Sequence, residues 1–238
     1  MGNRVDCYLV VDFETGGFNA KHSPITEVGI RVINPTTFVE VERYESFIRS
    51  EPKLVGQDFK PESDPINVYE DGYYFEGALK ITGISINQLR KEGKNYIQVE
   101  KDIEALIKRA HIGDRYAKPI FVGQNFAFDV LFIQMLFFLA KIDLSKLVTG
   151  YHDLHGNFVP FFIDTMHDTK RAFPNNEKFN LQALCTAMKV DYIDGHRAMN
   201  DVIPTSEIFE KLSINMRNQG TEIVEKVQKE KRRKHFQF

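Results

Sequence analysis

The chain has 238 residues, of which 42% are hydrophobic and 12% aromatic; that is one large domain or two small ones, and it excludes disorder of the chain as a whole. The formal net charge of −2 excludes a global basic field of the kind that draws many proteins onto phosphate backbones. The two cysteines, Cys7 and Cys185, lie among apolar residues, which excludes a disulfide framework or a cysteine zinc site and leaves buried free thiols.

Arg4, Asp6 and Asp12 interrupt the N-terminal residues, so no secretory signal is expected. The most apolar run, Val130 to Ala140, contains Gln134 and is too short to span a bilayer. A reducing, cytoplasmic setting without membrane contact is the expectation.

Residues 5–13 (VDCYLVVDF) read as a buried strand. Strands over 25–33 and 37–48 follow, joined by the turn Asn34-Pro35-Thr36, and the three predict an antiparallel meander. Residues 51–76 carry Pro52, Pro61, Pro65 and the aromatics Tyr69, Tyr73, Tyr74 and Phe75; a loop of that length is usually functional or mobile. Ser85 and Gln88 have capping-box spacing for a short helix. Residues 96–110 place Ile97, Ile103 and Ile107 at helical spacing. A short strand at 119–122 turns through Gly123-Gln124-Asn125 into an apolar helix at about 127–140. Another strand at 161–163 leads to a helix capped by Asp164, and Asn180 caps 181–188. A last helix is expected from about 197 to 216, followed by a tail with Lys229, Lys231, Arg232, Arg233 and Lys234. Strands first, then strands alternating with helices, predict an α/β sheet with helices on its faces.

Acidic residues in three places stand out against this frame. Asp12 and Glu14 end the first strand at i and i+2, so they project from one face while Phe13 points away. Asp129 lies in the first turn of a greasy helix, where a complement to the helix dipole is the plain account. Asp201 sits beside Val202 and Ile203, and an acid against an apolar helix face needs a partner. His196, five residues earlier, follows Asp194-Gly195 on the entry to that helix. Four carboxylates and a histidine suit hard cations such as Mg²⁺ and proton transfer near neutrality. Two ions roughly 3.5–4 Å apart would clamp the attacking and leaving oxygens of a phosphoryl displacement. Converging in space, these residues would make a metal-dependent nuclease.

Val10-Val11-Asp12-Phe13-Glu14-Thr15-Gly16-Gly17, Asn125-Phe126-Ala127-Phe128-Asp129, and His196 with Asp201 resemble, in order, the three motifs of the DEDDh 3′→5′ exonucleases. Within that family the chain looks most similar to the proofreading subunit of bacterial DNA polymerase III and to ribonuclease T. Ile81-Thr82-Gly83-Ile84 and Phe179 to Cys185 look like further family segments, and the resemblance spans residues 5 to about 210. It implies a ribonuclease-H-like fold: a mixed five-stranded sheet with helices on both sides. It implies an exonuclease domain over 1–217, with an extended loop at about 51–76 and a basic tail over 218–238. Asp12, Glu14, Asp129 and Asp201 would hold two divalent ions, Mg²⁺ or Mn²⁺, with Asp129 acting partly through water. His196 would be the general base, releasing nucleoside 5′-monophosphates from single-stranded 3′ ends, DNA favoured. Thr15, Gly16, Phe18, Ile84 and Phe126 would meet the terminal nucleotide, whose bases aromatic rings can stack without reading sequence. The core is the readier account of Phe128.

RNA as substrate, and a non-catalytic binding module on the same fold, stay as alternatives; the complete set of five residues argues against the second. A proofreading role would call for a polymerase or another replication or repair protein as partner, met by the 51–76 segment or by the tail, which also reads as a solvated helix end. Gln124 stands where relatives often carry histidine. His152 and His155, with Asp153 and the Gly156-Asn157 turn between and after them, read as a polar loop rather than a metal site.

Overall fold

A computed structural model describes residues 5–51, 53–58, 60, 72–111 and 117–235; of these, 53 and 219–235 are described by backbone alone. β1 (Val5–Thr15), β2 (Ile25–Ile33) and β3 (Glu40–Arg49) form the antiparallel meander. β7 (Lys118–Gly123) lies parallel to β1 on its other side, and β10 (Phe162–Asp164) parallel to β7. This is the expected mixed five-stranded sheet. A two-residue strand, β6 (Lys94–Asn95), adds a sixth at the edge of β3, giving the order β10-β7-β1-β2-β3-β6.

β1 is central and covered on both faces, which is why its sequence is a continuous apolar run. Cys7, Leu9, Val11 and Phe13 enter the larger core with Ile103 and Leu106 of α3 (Tyr96–Arg109) and Phe132 and Ile133 of α4 (Asp129–Leu139). Val10 enters a second core with Met199, Val202 and Phe209 of α7 (Ala198–His235). By strand alternation Asp12 and Glu14 belong to the α7 side and Phe13 to the α4 side. Full burial of each such apolar side chain stabilises by roughly 1.5–3 kcal/mol, so both helices are held firmly where the acids emerge.

Around this frame lie α1 (Glu76–Thr82), α2 (Ile86–Glu92), α5 (Thr165–Ala172), α6 (Leu181–Met188) and a hairpin of β8 (Gly150–His152) and β9 (Phe158–Pro160). The expected caps are present: Asp164 accepts from the N–H groups of Met166 and His167, and Asn180 from that of Ala183. Only half of the capping box forms. Ser85 Oγ accepts from Gln88 N–H at 3.1 Å, while the Gln88 amide turns to Glu92. Both cysteines are buried and free.

The described parts of segment 51–76 include strands that a loop reading does not predict. β4 (Lys53–Val55) pairs in parallel with β5 (Tyr73–Phe75), and Tyr73 and Tyr74 are fully buried. Pro52, Pro61, Pro65 and Tyr69 lie outside the described residues. The last helix runs well past the expected end near 216, to His235; Lys229 through Lys234 continue it as backbone. Among the described residues, no helix is long and apolar enough to cross a membrane.

Candidate active site

The site forms where the end of β1, the start of α4 and the start of α7 meet. The register opposes Asp12 to Gly29 and Glu14 to Glu27 across β1 and β2. Gly29 decides how close α7 can come: a Cβ there would lie 2.8 Å from the Ala198 carbonyl carbon and 2.9 Å from Met199 N. With glycine at this point the first turn of α7 rests on the β2 backbone, beside Asp12.

Glu14, His196 and Asp201 each offer a ligand atom, all within 4.8 Å of one another. His196 is exposed and reaches the site from a loop; Gly195 before it has φ +121°, a backbone conformation that glycine adopts at little cost. Asp129 is buried at the first residue of α4 and comes to the site from the other face of β1. Its Oδ1 accepts from Phe13 N–H at 3.2 Å, which ties the second motif to the first across 116 residues.

Burial acts on all four acids, and repulsion from neighbouring carboxylates adds to it. Burial first, then the charges of Asp129, Asp201, Glu14 and Glu27, hold Asp12 well above the usual carboxylate range. Burial and the Asp201, Glu27 and Asp129 charges push Glu14 up to about 8, with Arg197 opposing. Asp129 is likewise raised to about 8, mainly by burial, against the hydrogen bond from Phe13. Burial raises Asp201 to about 6, with His196 drawing it down. Such a cluster resists ionisation until a cation compensates it. Asp201 Oδ1 is buried and has no hydrogen-bond partner, and an unpaired buried carboxylate oxygen is costly. A set of carboxylates with one imidazole, one oxygen left over, fits a hard divalent cation.

Other expected residues fall on both sides of the line. Phe18 is 87% exposed and stands edge-on to Phe128, ring centroids 6.5 Å apart. Thr15 Oγ1 bonds the Gly17 carbonyl, and Gly16 donates to the Pro24 carbonyl and accepts from Phe75 N–H. The Thr15–Gly17 turn is thereby pinned, and the Gly16 N–H is already engaged. Two expectations need correction. Phe126 is fully buried between Phe121 and Phe162, its ring lying so close over Gly123 that a Cβ there would collide with it. Ile84 is 3% exposed and packs with Tyr74 and Leu89. Neither presents a surface to a base. Gln124 is structural: its amide donates to the Phe179 carbonyl and accepts from Thr165 Oγ1.

Glu27, Gly29 and Arg197 were not among the residues singled out from the sequence. An acid inside the apolar strand ITEVGIRVI carried the same signal as Asp12, and Arg197 directly follows His196. The phenol of Tyr192, pushed up to about 12 by burial and then by Asp201 and Asp194, also feels this cluster.

No protein-family model matches the chain. It is 25% identical over 207 residues to the 3′-5′ exonuclease DinG of Staphylococcus saprophyticus, covering 85% of this chain and 18% of that protein. Against the protein of that name from Staphylococcus aureus it is 26% identical over 215 residues, covering 87% and 19%. The chain thus spans about a fifth of the length of these relatives. In fold it is similar to E. coli exonuclease I in complex with a dT13 oligonucleotide, with TM-score 0.61 and 20% identity over 92% of this chain and 43% of that one. The ribonuclease-H-like fold and the 3′-5′ exonuclease resemblance drawn from the motifs agree with these similarities.

Proposed function

We propose that the chain is a metal-dependent 3′→5′ exonuclease that hydrolyses single-stranded DNA to nucleoside 5′-monophosphates by a two-metal mechanism. The observation that carries this reading is the meeting of Glu14, His196 and Asp201 at ligand distance, with one Asp201 oxygen buried and unpartnered. Relatives named as 3′-5′ exonucleases and the solved oligonucleotide complex of exonuclease I support the choice of reaction and of DNA.

Asp12, Glu14 and Asp201 would hold the divalent ions, with Asp129 completing the set. Bound there, Mg²⁺ or Mn²⁺ would supply positive charge beside the scissile phosphate and lower the pKa of a water. His196, on its exposed loop, takes the proton from the attacking water at an imidazole nitrogen. Phe18 stacks on a base near the 3′ end, and the pinned Thr15–Gly17 turn lies beside the terminal nucleotide. The bond from phosphorus to the 3′-oxygen of the shortened strand breaks on the far side from the attack, that oxygen takes a proton from solvent, and the terminal nucleotide departs as its 5′-monophosphate.

A cytoplasmic replication or repair protein, such as a polymerase, is the proposed partner class. The tail beyond Lys226 and the 51–76 segment are its expected contacts. Deleting residues 226–238 is then expected to weaken binding of partner or substrate and to leave metal binding intact; unchanged affinity for both refutes that assignment.

The deciding experiment digests 3′- and 5′-labelled single-stranded DNA and RNA with Mg²⁺ or Mn²⁺, beside the Asp12→Ala variant. Mononucleotides from the 3′ end, released only with metal and only by the unaltered chain, are expected, faster from DNA. Tight binding without product would assign the fold to a binding role instead.

A further inference from the structure

Glu27 is the fifth carboxylate at this corner, and the structure gives it a different occupation from the other four. It is fully buried in β2, opposite Glu14. Its Oε1 accepts from Arg197 Nη2 at 2.7 Å, and both of its oxygens lie within 3.0 Å of Arg197 Nε. Oε2 also accepts from Ala198 N–H at 3.2 Å, so one carboxylate both grips the guanidinium and caps the first residue of α7. The Arg197 side chain is fixed further by the Phe47 ring, 4.9 Å from its guanidinium carbon, and by Glu45 at 3.8 Å.

Arg197 is flanked by the two groups that chemistry would need. His196 precedes it. Its own carbonyl accepts from Asp201 N–H at 3.2 Å. The loop between α6 and α7 contains no regular element from Val190 to Arg197, so local structure alone does not set the place of His196. A planar guanidinium held along its Nε–Nη2 edge by Glu27 and across its face by Phe47 is a rigid anchor that an ammonium group cannot reproduce.

We infer that Glu27, acting through Arg197 and Ala198 N–H, is the positioning residue that sets His196 and Asp201 against Glu14. It holds no ion and takes no proton. It fixes where the histidine loop ends and where the helix bearing Asp201 begins. The inference rests on the exonuclease reading for its activity readout and on the proposed metal site for its Mn²⁺ readout.

The test compares Glu27→Gln, Arg197→Lys and Arg197→Ala with the unaltered chain in three measurements. In hydrolysis of labelled single-stranded DNA, kcat is expected to fall by on the order of 10²-fold, the usual effect of a small misplacement, with KM nearly unchanged. Because the Arg197 side chain is 39% exposed, added methylguanidinium is expected to restore part of the activity of Arg197→Ala and none to Glu27→Gln. Independently of turnover, Mn²⁺ is expected to broaden the imidazole resonances of His196 in the unaltered chain, and much less in Glu27→Gln or Arg197→Lys. Variants that melt earlier yet keep both kcat and the Mn²⁺ broadening of His196 would show a purely structural pair and overturn the inference. So would absence of that broadening in the unaltered chain. If the unaltered chain hydrolyses nothing, the exonuclease reading fails by itself, and the broadening still decides whether Glu27 positions His196.

Discussion

Two stretches of this chain look alike on paper: His152-Asp153-Leu154-His155 and His196 with Asp201. The fold treats them in opposite ways. In the β8–β9 hairpin, Asp153 accepts from the N–H groups of His155 and Asn157 at 2.9 and 2.8 Å and from the Asn157 amide at 3.2 Å. Those bonds hold its carboxyl below the usual range. At the start of α7, Asp201 has a buried oxygen with no partner and a carboxyl raised by burial. A satisfied acid closes a turn; an unsatisfied buried one is shaped for something the protein does not itself contain. The proximity of histidine and aspartate distinguishes neither.

The strongest way to break this comparison is to remove the acids. Asp12→Ala or Asp201→Ala is expected to lower hydrolysis by on the order of 10³-fold or more, since the charge stabilisation lost is several kcal/mol. Labelled-end digestion measures it. The same Asp201→Ala change is expected to raise the melting temperature of the metal-free protein at pH 8, because a repelled, desolvated charge disappears. An unchanged or lower value would mean that Asp201 is a structural acid after all.

Metal and pH sharpen the comparison next. Glu14, Asp129 and Asp201 are raised to about 8, 8 and 6 from the ordinary carboxylate range near 4. The folded state therefore binds more protons than the unfolded one between those limits, and stability falls as pH rises through about 4 to 8. Calorimetry of the metal-free protein is expected to show that decline. Mn²⁺ at about 100 times its dissociation constant is expected to restore about 2.7 kcal/mol, and more degrees of melting temperature at pH 8 than at pH 5.5. A metal effect independent of pH would contradict the carboxylate cluster as its site.

Phe18→Ala is expected to cost about 1–3 kcal/mol in substrate binding, the usual worth of one stacked base, while the melting temperature stays put. Phe126→Ala is expected to do the reverse, unfolding the protein earlier without a selective loss of binding. Fluorescence anisotropy with a labelled single strand, paired with melting curves, separates the two. The smallest effect is reserved for the hairpin: Asp153→Ala is expected to lower the melting temperature slightly, with turnover unchanged.

Much of this arrangement was legible before any coordinates. The meander, the alternation of strand and helix, and the face shared by Asp12 and Glu14 follow from short-range periodicity, which a sequence displays directly. Phe18 and Phe126 show where that legibility ends. Both follow a glycine-bearing turn, yet only the packing of Phe121, Phe162 and Gly123 decides which ring is taken into the core. Glu27 and Arg197 stood in plain view as an acid in an apolar strand and a basic residue after His196. Their pairing spans 170 residues, and no local pattern encodes a partner at that range. The length of the last helix was missed for a different reason: beyond 216 Gly220 interrupts the pattern, and Ile223, Val224 and Val227 are too short an apolar stripe to count.

That separation along the chain also sets a timetable. Residues 5–49 hold the meander and two of the acids, and they are synthesised before α4 and α7. Asp129 joins only when the chain has grown past α4, and His196 and Asp201 only when α7 has emerged. Bringing segments together over so many residues carries the loop-closure cost that makes distant contacts form late. A chain caught partway through synthesis holds acids but no complete centre, so on the exonuclease reading the ability to cut nucleic acid would appear abruptly, with the docking of α7 onto Gly29.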